Sequence, residues 1–252
     1  MTMLSVNMNV AALLRNRRDH AWPDVVELGR IALEAGAGGL TVHPRPDERH
    51  TRPSDVRNLR KLIKADFPKC ELNVEGFPDA RFLSLVQDVQ ADQVTLVPDA
   101  HDQATSDHGW DFVVEREQLT KIVTDLKKNG HRVALFADPD AHHMKGAAET
   151  GADRVELYTG PYGGAYHTAI AQERELDRLI EAITEAERHG LVVNAGHDLT
   201  VIGTAQLIAR APSVAEVSIG HALFCDALIY GMAETVRRYL MSCIVNDVPL
   251  SS

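Results

Sequence analysis

The chain has 252 residues, 44% of them hydrophobic, and a formal net charge of −10 at pH 7. That content can bury a full core, while the acidic balance argues against nucleic acid or an anionic membrane as the main partner, because phosphate backbones attract basic surfaces. Cys70, Cys225 and Cys243 are too few and too irregularly spaced for a disulfide framework or a zinc site, which points to a reducing, cytoplasmic setting. No apolar stretch approaches the roughly 20 residues that cross a bilayer, and Asn7 and Asn9 interrupt the opening run that a signal peptide would need.

Residues 4–9 read as a first strand, followed by a helix near 23–35 that Pro23 and Asp24 open and Gly36 stops. Residues 39–43 read as the second strand. Pro53 then opens a helix with Val56, Leu59, Leu62 and Ile63 on one face. Residues 71–75 alternate as a third strand, Phe82, Leu85, Val86 and Val89 mark a helix over 78–89, and 93–97 form a fourth strand. Residues 99–111 are a polar excursion, long for a strand-to-helix connection and so a candidate lid or binding loop. A helix over 115–129, a strand over 132–137, a helix over 141–150 and a strand over 154–158 follow.

A second excursion, 159–168, carries Gly160, Gly163 and Gly164 and reads as mobile or wrapped around a ligand. The longest helix spans 169–189, strands seven and eight span 191–194 and 216–219 with a Thr200-capped helix between them, and a helix over 222–241 closes the chain. Eight repeats of strand and helix predict an α/β fold, a single (β/α)8 TIM barrel over residues 1–252 with extended loops after the strands. In such a barrel the C-terminal strand ends share one face, so residues far apart in the chain meet there.

His43, His197 and His221 follow the second, seventh and eighth strands, where an imidazole is suited to move protons near neutral pH. Each taken alone reads equally as a hydrogen-bonded structural histidine; their convergence favours chemistry. Glu75 ends the third strand, where partial burial would raise its pKa into the range of a general base. Glu156 lies at similar depth inside the sixth strand and reads either as a second catalytic carboxylate or as a hydrogen-bonded member of a barrel layer. Gly220 and His221 open a helix after strand eight, beside Gly196, His197 and Asp198, and helix N-termini in that place hold anions.

Arg15, Arg17 and Arg18 after the first strand, and Arg45, Arg49, His50 and Arg52 after the second, form two basic clusters that suit small phosphorylated ligands. Arg17, Arg49 and Arg52 read individually as solvated loop charges. All seven lysines fall on predicted helices or their flanks, so none is placed to form the Schiff base of a lysine-dependent aldolase. No HExxH, paired His-x-His or carboxylate cluster suggests a metal, and His142-His143 opens a helix on the wrong side of the barrel. Metal-free acid–base catalysis on a phosphorylated carbonyl compound, without a cofactor, is the expectation.

The stretches 5–18, 41–50, 73–76, 96–99, 194–198 and 218–222, including Thr-Val-His43-Pro-Arg45-Pro, Asn-Val-Glu75-Gly and Asn-Ala-Gly-His197-Asp198, together resemble the pyridoxine 5′-phosphate synthase family. The resemblance spans almost the whole chain, with the motifs in order and at family spacing. It implies condensation of 3-amino-2-oxopropyl phosphate with 1-deoxy-D-xylulose 5-phosphate to give pyridoxine 5′-phosphate, phosphate and water, the substrate supplying the amine. It further implies His43 and Glu75 as proton acceptors, His197 as proton donor and Glu156 as stabiliser of a charged intermediate.

By the same resemblance Asn7, Arg18, Asp198, Gly220 and His221 hold the aminoketone phosphate, while Arg45, His50 and Thr105 contact the deoxyxylulose phosphate. Guanidinium groups suit that task because their planar fork grips phosphate with two hydrogen bonds. Many members carry Asp-His where this chain has Asn9-Val10, which removes an ionisable pair. The family resemblance also implies a homo-octamer, and the two long loops are expected to close over both ligands. Two alternatives remain from the residues themselves: a barrel isomerase or epimerase of one sugar phosphate, and a non-catalytic sensor of a phosphorylated metabolite, for which Glu75→Gln would leave ligand affinity and effect intact.

Overall fold

The computed structural model describes residues 1–99, 106–165 and 167–244. Eight strands, β1 (Met3–Asn7), β2 (Gly39–Val42), β3 (Glu71–Gly76), β4 (Gln93–Leu96), β5 (Arg132–Ala137), β6 (Arg154–Tyr158), β7 (Val192–His197) and β8 (Glu216–Ile219), pair in parallel and in sequence order. The barrel closes where β1 pairs with β8 through Met3↔Glu216 to Val6↔Ile219. Around it lie α1 (Asn9–Arg15), α2 (Val25–Glu34), α3 (Pro53–Asp66), α4 (Ala80–Val89), α5 (Arg116–Lys128), α6 (Ala141–Glu149), α7 (Gly160–Gly164), α8 (Ala169–Arg188), α9 (Val201–Arg210), α10 (His221–Tyr230) and α11 (Met232–Ser242).

Alternation along the strands explains the layers. Val6, Val42, Val74, Val94, Val133, Val155, Val193 and Val217 are fully or almost fully buried, in a core shared with the helix stripes. On α3 that stripe is Val56, Leu59, Leu62 and Ile63, and on α4 it is Phe82, Leu85, Val86 and Val89. Asp24, Asp79, Asp140 and Thr200 each accept a backbone N–H at a helix start, which fixes where the chain turns from the barrel rim into the outer ring. The barrel interior, in contrast, is polar. Ser5 and Thr41 share a 2.7 Å hydrogen bond, and Thr95 donates to Asn73 at 3.0 Å.

Three sequence expectations change. The first strand ends at Asn7, and Asn9–Arg15 is a helix that the sequence hid because it has fewer than two turns and no side-chain cap. Tertiary contacts hold it: Ala11 and Ala12 are buried, and Arg15 pairs with Asp55 of α3 at 2.5 Å, so this arginine of the first basic cluster is structural. The 159–168 excursion contains the short helix α7, and two of its glycines serve close packing: a Cβ at Gly160 would collide with the Tyr158 ring, and one at Gly163 with the Asp198 backbone. The closing helix is two helices, broken at Gly231 with φ of +80°. Residues 100–105 of the other excursion, including Thr105, lie outside the described residues.

Candidate active site

At the C-terminal ends of the strands the barrel opens into a cavity of about 420 Å³, a volume suited to small metabolites. Ten of the twelve sequence-predicted site residues line it: Asn7, His43, Arg45, His50, Glu75, Glu156, His197, Asp198, Gly220 and His221. Arg18 does not; it is exposed in the turn after α1, its backbone N–H donating to the Arg15 carbonyl at 3.3 Å. Thr105 lies outside the described residues. None of the seven lysines lines the cavity. His142 and His143 start α6, which follows β5 and so begins at the same rim, correcting the wrong-side expectation; neither side chain lines the cavity.

The β2 side of the cavity is basic and dry. His43 and Arg45 are 5% and 4% exposed. Burial, then the charges of Arg45, His50, Arg81 and Arg49, hold the His43 pKa well below the usual histidine range, which favours the neutral ring. His50 is pushed down to about 4 by burial and by Arg45 and Arg49. Arg45 Nη2 donates to Asp99 Oδ2, which also accepts the Ser106 hydroxyl at 2.7 Å.

Asn9, placed by α1 and itself part of the lining, orients this wall. Its Oδ1 accepts the His43 backbone N–H at 2.9 Å and the Thr51 hydroxyl at 3.2 Å. An uncharged amide therefore fixes the turn out of β2 where an Asp-His pair was noted as missing.

Two carboxyl groups face the barrel axis beneath the cavity. Burial, then the neighbouring charges of Glu156, Asp99 and Glu216, raises Glu75 well above the usual carboxylate range. Glu156 is pushed up to about 8 by burial and then by Glu216, opposed by a 3.4 Å hydrogen bond from Thr95. Burial and like charge thus favour the protonated form of both carboxyls, whereas positive charge close to them would favour the ionised form. Gly196 makes room for this arrangement, since a Cβ there would collide with Glu156 Oε1.

The β7–β8 side is more open and built around a helix start. His197 ends β7 with φ of +100°, an uncommon backbone for a residue with a side chain. Its Nδ1 lies 2.8 Å from Asp198 Oδ2, and its ring meets Tyr158 edge-on at 5.2 Å between centroids. The His197 imidazole beside it lowers the Asp198 pKa. Gly220 caps α10, and a notional Cβ there would lie a tight 3.3 Å from Asn7 Cβ, so β1 and this helix start approach closely.

Asn9, Ser106 and Ser218 also line the cavity. In the sequence Asn9 figures only as an interruption of the opening apolar run and as a departure from the family's Asp-His, Ser218 only within the stretch 218–222, and Ser106 not at all inside its long polar stretch. The signal that could have found Asn9 is its position beside Asn7; no local signal marks Ser106.

These features define a (β/α)8 barrel that gathers histidines and carboxyls beside a helix start in one cavity at its strand ends. The chain matches the family described as "Pyridoxal phosphate biosynthesis protein PdxJ" over residues 4–244, and it belongs to that family. It is 58% identical over 240 residues to the pyridoxine 5′-phosphate synthase of Mesorhizobium japonicum, covering 95% of this chain and 98% of the relative. It is 59% identical over 237 residues to that of Brucella anthropi, covering 94% and 97%. It is accordingly an enzyme of the pyridoxine 5′-phosphate synthase kind. The phosphoribosyl anthranilate isomerase of Thermotoga maritima superposes with a TM-score of 0.62 at 12% identity, covering 96% of this chain and 98% of that one, a likeness of fold alone. Among the described residues no helix is long and apolar enough to cross a membrane.

Proposed function

We propose that the enzyme condenses 3-amino-2-oxopropyl phosphate with 1-deoxy-D-xylulose 5-phosphate, forming pyridoxine 5′-phosphate, phosphate and water by metal-free acid–base catalysis. The observation that carries the reading is the meeting of His43 and His197 with Glu75 and Glu156, two carboxyls whose pKa values burial raises, in one cavity that has no lysine on its wall. The amine of the aminoketone condenses with the partner carbonyl, so the protein need only move protons and hold phosphates.

His43, neutral by burial, and Glu75 take protons from carbon. Glu75 does so once a cationic intermediate has lowered its pKa, because opposite charge at close range offsets desolvation. His197, oriented by Asp198 and the Tyr158 edge, donates. Glu156 gains ionic character as positive charge develops above it. Arg45 and His50 receive the deoxyxylulose phosphate; Asn7, Asp198, Gly220 and His221 receive the aminoketone phosphate.

The test is to mix the purified protein with both phosphates and follow the pyridoxine chromophore, with His197→Ala as control. Product formation that needs both compounds and falls by about 10²-fold or more in the variant supports the reading. Consumption of either compound without the other turns it toward a sugar-phosphate isomerase.

A further inference from the structure

Asp99 follows β4 and does not line the cavity, yet it ties together two residues that do. Its side chain is 4% exposed. Oδ2 accepts from Arg45 Nη2 and from the Ser106 hydroxyl, and lies 4.0 Å from His43 Nε2. Oδ1 is buried and has no hydrogen-bond partner among the described residues. A carboxylate so placed sits behind the cavity wall, across the end of β3 from the residue it holds.

The surroundings explain why a carboxylate is needed. Arg45, Arg49 and Arg81 crowd His43 and His50 on this side. Arg49 is engaged by Asp47 at 2.7 Å, and Arg81 donates to the Pro44 carbonyl at 2.8 Å, while Arg45, with 5% of its side chain exposed, has Asp99. A guanidinium buried this deeply without an anion would leave an uncompensated charge, and its planar fork grips phosphate only when its orientation is fixed.

We propose that Asp99 is a positioning residue for anion capture: by fixing Arg45 Nη2 it presents the guanidinium to the phosphate of the deoxyxylulose substrate. Ser106 steadies Asp99 in that task. The proposal rests on the reading that Arg45 meets that phosphate, and binding rather than turnover tests it.

Titration calorimetry on the full chain measures the dissociation constant of each phosphorylated substrate alone, for the wild type, Asp99→Asn, Arg45→Met and the double variant. Asp99→Asn, which keeps the shape and removes the charge, is expected to weaken 1-deoxy-D-xylulose 5-phosphate about tenfold. The aminoketone phosphate should stay within about twofold. In the Arg45→Met background Asp99→Asn should add nothing, because Asp99 acts through that guanidinium. Unchanged affinity in Asp99→Asn, equal weakening of both ligands, or the same loss with and without Arg45 overturns the proposal.

Should Asp99→Asn fail to fold, Ser106→Ala must show the same ligand-selective weakening in smaller measure, and no change there overturns it equally. An Arg45→Met variant that binds both ligands normally overturns this proposal together with the phosphate role of Arg45. Failure of the wild type to make product while both ligands bind strikes the reaction alone and leaves Asp99 in place.

Discussion

The buried carboxyls toward the two ends of the barrel differ in their partners, Glu216 near the N-terminal end and Glu156 nearer the C-terminal end. At the N-terminal end Glu216, 1% exposed, accepts from Arg154 at 3.2 Å, Asn194 at 3.2 Å and Gln93 at 3.3 Å, while Arg132 engages both oxygens of Glu71. At the C-terminal end, among the described residues, Glu156 accepts one long hydrogen bond from Thr95 and forms no ion pair. Glu75 lies buried above it with its pKa raised by desolvation. A paired buried charge stabilises its neighbours' geometry; an unpaired one is held ready for a proton or a cation. The same residue type thus reads as scaffold at one end and as chemistry at the other, by partners alone.

The largest effect that would break this contrast concerns Glu75. Glu75→Gln keeps the shape of the pocket and removes the titrating group, so kcat is expected to fall about 10²- to 10⁴-fold while the thermal midpoint hardly moves. Steady-state kinetics beside a melting curve decides it, and near-normal turnover would place Glu75 with the scaffold.

Next comes the other end. Glu216→Ala leaves Arg154 buried without its carboxylate, which is expected to cost about 3–5 kcal/mol in urea unfolding, with kcat of the folded fraction close to wild type. A large loss of kcat at unchanged stability would erase the distinction between the ends.

A smaller effect is read by pH. The folded-state pKa of Glu156, about 8, lies above its ordinary value of 4.5, so its contribution to stability is full below about 4.5 and is lost as pH rises through about 8. Between pH 5 and pH 9 the thermal midpoint of the wild type should therefore fall relative to that of Glu156→Gln. Parallel curves across that range would show that Glu156 is not held protonated by the fold. The smallest change is Thr95→Val, which removes hydrogen bonds to Asn73 and Glu156, is expected to cost about 1 kcal/mol, and should raise the Glu156 pKa further. An unaltered Glu156 titration by difference infrared spectroscopy would remove Thr95 from the site.

Much of this was legible in the chain. Strand ends such as His43, Glu75 and His197 stood out because an apolar run of the right length ended in a polar group, and the barrel topology sends all such ends to one rim. The helix α1 was not legible, because its seven residues carry no cap and are held by contacts such as Arg15 to Asp55. The glycines of α7 read in the sequence as freedom of the backbone; packing against Tyr158 and Asp198 uses Gly160 and Gly163 for closeness instead. The family resemblance puts Arg18 among the phosphate-holding residues, whereas the turn after α1 leaves it exposed and off the cavity wall.

The sequence by itself determined the alternation of strands and helices, the polar residues at the strand ends and the absence of lysine among them, because periodicity and residue type are local properties. The tertiary structure alone decided which buried charges are paired. Whether a carboxylate keeps its proton depends on what lies within a few ångströms of it, and for Glu156 and Glu216 those neighbours come from strands far apart in the chain.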